Sequence, residues 1–451
     1  MSATRQDASQ VAAETARYGR ATGILSVGLA AAGVATFAFF ALSSHVLGGA
    51  EYTQIVVLWS VMFIVISTIY RPVEQLLSRT IAARRAAGIA HGHPLLVPAA
   101  IQIGFGLTFI GVALLLRPWI ERELFAGSSA LYWAMLAGVT TYGAAFFARG
   151  WLAGYKRYYV FGALVLFDAC ARVCFPLAVA LGIGDESTIA IGIAAAPALS
   201  LLVVPAAFGR RVATLGEERE ALLAPAADAA LEGPGAEGAE EALTDLTLSR
   251  GAGFAVAVLG IMLAEQALLN VPVLTVNALA ADAALAGIVF NVLLIARAPL
   301  QLFQAVQLSL LPHLAGLEAR QGQQAVRHAL RVTALAIACF TAVVVLGLLV
   351  VGPTMMDALF GGEFDYGRLG LALMGVGMGL HLLAGTLNQA ALARDRAMAA
   401  SAAWLVTAGL FVAWLLTAPV DDQLLRVQIG YSAAAALLSA LLVPAASIRS
   451  R

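Results

Sequence analysis

Charge is what this chain has least of. Only 12% of its 451 residues are Asp, Glu, Lys or Arg, 61% are hydrophobic, and the mean hydropathy is +0.87. Soluble domains are about a quarter charged, so a water-soluble enzyme of two or three domains is excluded. The formal net charge is zero, which removes nucleic acid as a partner, since that needs a basic face. Lysine is nearly missing: Lys156 is the single one among 27 basic residues. A phosphate-cradling loop requires a lysine after its glycines, and Gly154-Tyr155-Lys156-Arg157 does not supply the pattern, so the chain carries no such ATPase site. Cysteine is scarce too. Cys170, Cys174 and Cys339 lie in apolar runs, form no disulfide framework or zinc spacing, and read as small core residues. His91-Gly92-His93 is too short a pattern for a metal, and no metal, cofactor or catalytic site is expected. The alternating ten-residue pattern of an outer-membrane barrel is absent.

What is present is a series of long apolar runs. A spanning helix needs roughly 20 apolar residues, and runs of that order fall near 22–47, 52–70, 95–116, 129–148, 159–181, 188–208, 251–276, 284–308, 330–352, 368–390, 397–418 and 423–446. The fold class is therefore an all-α polytopic membrane protein of about twelve transmembrane helices. The excess of Arg and Lys on the cytoplasmic side sets orientation. With the N-terminus inside, Arg117, Arg122, Arg368 and Arg426 face outward and Arg172 and Arg297 fall within helices. The remaining 21 of the 27 basic residues lie in inner segments. That asymmetry predicts an N-in, C-in protein of the cytoplasmic membrane.

Only one connection is long. Residues 209–248 are acidic, and Ala224–Ala239 is built of Ala, Pro, Gly and Glu with no aromatic residue. Such a composition buries too little surface to order itself, so a flexible cytoplasmic linker is expected, with a regulatory site as a secondary reading. It divides the chain into a tail (1–20), a six-helix bundle (21–208), the linker (209–248), a second six-helix bundle (249–446) and a short tail (447–451). A faint repeat relates the bundles. Leu76-Leu77-Ser78-Arg79 after the second run is echoed by Leu310-Leu311-Pro312-His313 after the eighth, an offset of 234 residues. Leu152–Arg157 is echoed by Ala391–Arg396. Same-orientation repeats are one common transporter plan, with substrate held between them near the midplane.

Several local strings carry a resemblance. Ala148-Arg149-Gly150-Trp151-Leu152-Ala153-Gly154 leads through Tyr158 into a helix bearing Asp168 and Arg172. Leu268-Leu269-Asn270-Val271-Pro272, Leu359-Phe360-Gly361-Gly362-Glu363-Phe364 and Ala384-Gly385-Thr386-Leu387-Asn388-Gln389-Ala390 follow in order. The chain resembles bacterial polysaccharide biosynthesis membrane proteins, the oligosaccharide flippase branch of the MOP superfamily. The resemblance covers all but the 209–248 linker and rests on layout more than on invariant residues. It implies two MATE-like six-helix bundles facing a central cavity, rocking to move a lipid diphosphate-linked glycan to the outer leaflet. Membrane lipid and the glycosyltransferases or polymerase of the same pathway are the implied partners. The energy source stays open between proton or sodium coupling and the glycolipid gradient.

Charges inside a bilayer cost about 2.5–3.5 kcal/mol each on insertion scales, so each asks for a reason. Asp168 and Arg172, four apart on one helix face, can neutralise each other or present Arg172 to a diphosphate. Glu265 and Arg297 have no partner on their own helices and could pair across adjacent ones. Arg297 is the best candidate for the substrate pyrophosphate, because guanidinium binds phosphate bidentately, with Pro299 freeing a carbonyl beside it. Glu265 reads as a protonatable coupling site or a carboxyl held neutral. Beyond the second run, Arg71, Glu74, Gln75, Ser78 and Arg85 form a polar stripe beside Val73, Leu76, Leu77 and Ile81. It is either an interfacial helix on anionic headgroups or the basic mouth of a cavity. Asn270, Asn277, Asn291, Asn388, Gln266 and Gln389 could line a sugar-compatible cavity or serve as interhelical glue. His381 reads as a core histidine.

Two competitors stand. A MATE-type drug or metabolite antiporter shares the plan, but its usual acidic residue in the first helix has no counterpart in 22–47. A membrane enzyme acting on lipid-linked sugars needs carboxylates or histidine on a large outer loop; Asp185-Glu186 and Asp421-Asp422 read as solvated turns instead.

Overall fold

The computed structural model describes residues 27–86, 95–209, 236–280, 282–361, 366–394 and 396–447. Both end segments, residues 210–235 of the expected linker and the His91-Gly92-His93 pattern lie outside these. The described residues are all-helical: α1 (Val27–Val46), α2 (Gly49–Ala86), α3 (Leu96–Leu115), α4 (Ser129–Gly154), α5 (Tyr158–Ala180), α6 (Glu186–Ser200), α7 (Ala236–Leu279), α8 (Leu285–Phe360), α9 (Arg368–Ala393), α10 (Ala397–Thr417) and α11 (Gln423–Ser447). Helix α7 begins at Ala236, so the last part of the expected linker is helical.

The twelve runs meet eleven helices because the eighth and ninth belong to one 76-residue helix, α8. A straight helix would separate Asn291 from Phe360 by about 100 Å, and the six residues to Tyr366 recover at most about 20 Å. Yet the Asn291 amide donates to the Tyr366 hydroxyl at 3.3 Å. Helix α8 therefore folds back on itself, and its arms count as two crossings: the shorter apolar stretch Leu285–Ile295 and the long one His328–Phe360. The expected separate helices are corrected to one bent element. No loop is needed, because Arg320-Gln321-Gly322 and its neighbours retain helical backbone between the arms.

Lipid as solvent gives helices no hydrophobic reason to associate, so close packing and polar contacts must do it. In the N-terminal half α2 packs on α4, and α6 on α4 and α5; in the other, α8 and α11 pack on α9, and α10 on α7. Glycine makes the first contact possible: a Cβ on Gly150 of α4 would stand 2.7 Å from the Glu74 carbonyl oxygen of α2. The most exposed spans, α3 and the second arm of α8, are each only 11% buried, as lipid-facing helices are. The three cysteines are exposed, correcting their placement in the core; an apolar run in a membrane protein does not distinguish buried from exposed faces.

The orientation can be checked directly. With native cysteines removed, a cysteine at Lys156 should react with a thiol reagent only after permeabilisation, and one at Asp421 without it. Reversed labelling would overturn the N-in assignment.

Candidate functional site

The intramembrane charges sort into two groups joined by an aromatic wall. In the N-terminal half, Arg172 Nη2 donates to Asp168 Oδ2 at 2.8 Å, as the four-residue spacing predicts. Asp168 lies about 15 Å along α5 from its start, near mid-membrane. A second guanidinium shares the same oxygen: Arg149 Nη2 stands 3.5 Å away. Sequence reasoning missed this partner because the fourth apolar run ends at 148, whereas α4 continues to Gly154 and carries Arg149 inward. Arg172 stacks over Trp59 at 4.7 Å, and Arg149 over Phe146 at 4.8 Å. Removing Asp168 would strand two buried cations, and breaking a buried pair costs about 3–5 kcal/mol. Asp168→Ala should therefore lower Tm strongly in detergent thermal unfolding; an unchanged Tm would show that the pair carries no stability.

In the C-terminal half, Arg297 lies about 18 Å along α8 from Leu285. Its Nη2 donates to the Leu269 carbonyl at 2.5 Å and to Asn270 Oδ1 at 2.7 Å. The Asn270 amide donates in turn to the Gln266 carbonyl and Oε1 at 3.1 and 3.0 Å. The guanidinium lies over the Phe290 ring at 4.6 Å. Among the described residues it has no carboxylate within 4.0 Å, so the Glu265–Arg297 pair entertained from sequence does not form. Glu265 instead lies within electrostatic reach of Arg71, on α2 of the other half. The two residues sit at different depths, which a one-dimensional reading resolves only to a turn or two.

Arg297 also lines a small pocket with Gly33, Thr36, Phe37, Phe40, Trp59 and Leu294, drawn from both halves. Rings link the two groups: Trp59 meets Phe40 at 5.0 Å and Phe40 meets Phe290 at 4.5 Å. Trp59 also stacks on Phe63 at 4.1 Å, so both its faces are occupied. Of the other predicted residues, Asn388 accepts from Trp404 Nε1 at 3.1 Å, and His381 is buried with Nδ1 2.9 Å from the Tyr431 hydroxyl. Both stay within the C-terminal half. Arg71 and Glu74 lie in the continuous α2, as the polar stripe implied, and are half-buried.

One end of the seam is closed by a latch that the sequence did not announce. Tyr52 donates its hydroxyl to Asn291 Oδ1 at 2.5 Å, and Asn291 donates to Tyr366. Beside them the Gly287 N–H donates to Thr53 Oγ1 at 3.2 Å. Thr53 and Gly287 are 234 residues apart, the same offset as the Leu76–Leu310 string match.

This all-helical arrangement, with a seam joining its N-terminal and C-terminal parts, has a MATE-like fold. An inward-facing multidrug resistance MATE family transporter of the MOP superfamily aligns with a TM-score of 0.62 at 12% identity, over 91% of this chain and 92% of that one. A eukaryotic MATE transporter aligns at 0.60 and 13% identity, over 94% of each chain. A MOP superfamily transporter from Pyrococcus furiosus, noted for the reverse polarity of its binding pocket, aligns at 0.56 and 12%, covering 94% of this chain and 93% of its own. No protein-family profile and no curated protein sequence matches the chain.

Proposed function

We propose that this protein translocates a lipid diphosphate-linked oligosaccharide or polysaccharide precursor across the cytoplasmic membrane by alternating access, as a carrier and not as an enzyme. One observation carries the reading: Arg297 is a buried mid-membrane cation with neutral partners, lining a pocket at the seam between the halves. A charge kept there at such cost suits an anionic cargo, and guanidinium geometry suits phosphate. Asn270 and Gln266 hold the side chain in place, and their amides add hydrogen-bonding groups of the kind a glycan uses. The latch at Tyr52, Asn291 and Tyr366 closes the end where α2 and α8 begin. With the N-terminus inside, that end is the outer one, leaving loading to the cytoplasmic side. Cell-surface polysaccharide assembly is the setting that fits such a cargo.

A second reading rests on Glu265. A half-buried carboxyl in α7 is what a cation-coupled MATE-type antiporter would use, and the resemblance in fold to multidrug transporters favours it equally. The two are separated in liposomes of the purified protein. Wild type should move a fluorescent lipid-diphosphate oligosaccharide between leaflets and fail to accumulate a cationic dye under a proton or sodium gradient. Dye transport without lipid movement would reverse the choice.

A further inference from the structure

The N-terminal charge cluster is not used by cargo recognition at Arg297, and it is unsatisfied. One carboxylate, Asp168, stands between the guanidiniums of Arg149 and Arg172, so the trio keeps an excess positive charge. Buried donors without a hydrogen-bond partner occur in this group: Nε of Arg149, Nε and Nη1 of Arg172 and the Tyr142 hydroxyl; Oδ1 of Asp168, an acceptor, is also unpaired and is not served by an anion. Tyr142 lies within electrostatic reach of Arg172, Asp168 and Arg149. Native proteins leave few such groups unpaired, and each one needs an explanation such as a bound ion. Phe39 and Trp59 beside Arg172 and Phe146 beside Arg149 wall the cluster in rings, which keeps the local dielectric low. The other charges nearby are Glu74, within electrostatic reach of Arg149 and Arg71, and Glu265, within reach of Arg71; Glu74 forms no ion pair within 4.0 Å among the described residues.

We infer that the N-terminal half binds a small monovalent anion of the chloride type between Arg149, Arg172 and Tyr142, separately from the cargo pocket. A single negative charge balances two guanidiniums and one carboxylate. A spherical acceptor takes N–H and O–H donors arriving from three helical positions without demanding a set angle. Phosphate would set further negative charge against Asp168, and a cation would meet two guanidiniums. Water alone would satisfy hydrogen bonds but leave the charge. The Arg149 side chain is 12% exposed and Arg172 only 3%, so Arg149 is the more accessible of the two. The bound anion would let both arginines stay deep in the half-bundle while it moves as a unit.

The inference is independent of the cargo and is tested without transport. Purified full-length protein is unfolded thermally in chloride and in gluconate at constant ionic strength. A ligand of the folded state raises Tm in a saturable way, so a rise of a few degrees is expected in chloride. Tyr142→Phe, which removes only a hydroxyl, and Arg149→Gln should flatten the titration, while Arg297→Ala should keep it. Crystals grown in bromide should show an anomalous peak between Arg149 and Arg172. Equal Tm in both salts, a rise that persists in both variants, or water alone at that position would overturn the inference.

Discussion

Arg297→Ala should abolish lipid-linked glycan translocation while leaving a folded protein in the membrane. The guanidinium is the mid-membrane cation whose partners are all neutral: the Leu269 carbonyl, Asn270 Oδ1 and the Phe290 face. Truncating one partner of a buried, hydrogen-bonded charge pair costs about 2–5 kcal/mol. At 1.4 kcal/mol per tenfold change, that is a loss of roughly 30-fold or more in cargo affinity. Arg297→Lys should retain a fraction of the rate, because an ammonium keeps the charge and loses the bidentate fork. Asn270→Ala should fall between wild type and Arg297→Ala, since it frees the guanidinium without deleting it. Fluorescent lipid-diphosphate oligosaccharide in proteoliposomes, with thermal unfolding as the folding control, reads all three. Wild-type rates in Arg297→Ala would sink the cargo assignment.

Cross-linking Thr53→Cys to Gly287→Cys should stop transport altogether. A Cβ built on Gly287 lies 3.0 Å from Thr53 Oγ1, and disulfides form where Cβ atoms stand about 3.5–4.5 Å apart. The bond would hold α2 against α8 at the closed end of the seam, so the halves could not separate there. Oxidant should arrest a population that reductant restores, and each single-cysteine variant should stay active under oxidant. A cross-linked protein that still transports would show that this end does not open.

The all-helical, membrane-spanning fold and the Asp168–Arg172 pair were legible because each depends on local pattern: apolar length and a four-residue spacing. What escaped depends on depth and on neighbours. Arg149 looked cytoplasmic because its helix runs past the last apolar residue. The partner of Arg297 proved to be an asparagine on α7, not Glu265, a difference of little more than one turn. Tyr52, Asn291 and Tyr366 lie on three elements far apart in the chain, and no spacing rule links them. The unbroken helicity of α8 was hidden because Arg320-Gln321-Gly322 reads as a loop by polarity, although the backbone there stays helical. Apolar character, the signal that found every span, is silent about which face is buried, and the cysteines were misplaced for that reason.

The contact of Thr53 with Gly287 also bears on how α2 and α8 fit together. The two positions are unlike: one supplies a hydroxyl acceptor, the other a bare backbone N–H. Threonine at both would put a Cβ where only about 3.0 Å is free. Glycine at both would leave no side chain to accept the N–H. The contact is therefore asymmetric, and each side supplies what the other lacks: an acceptor against a donor, and a side chain against the space left by a missing one.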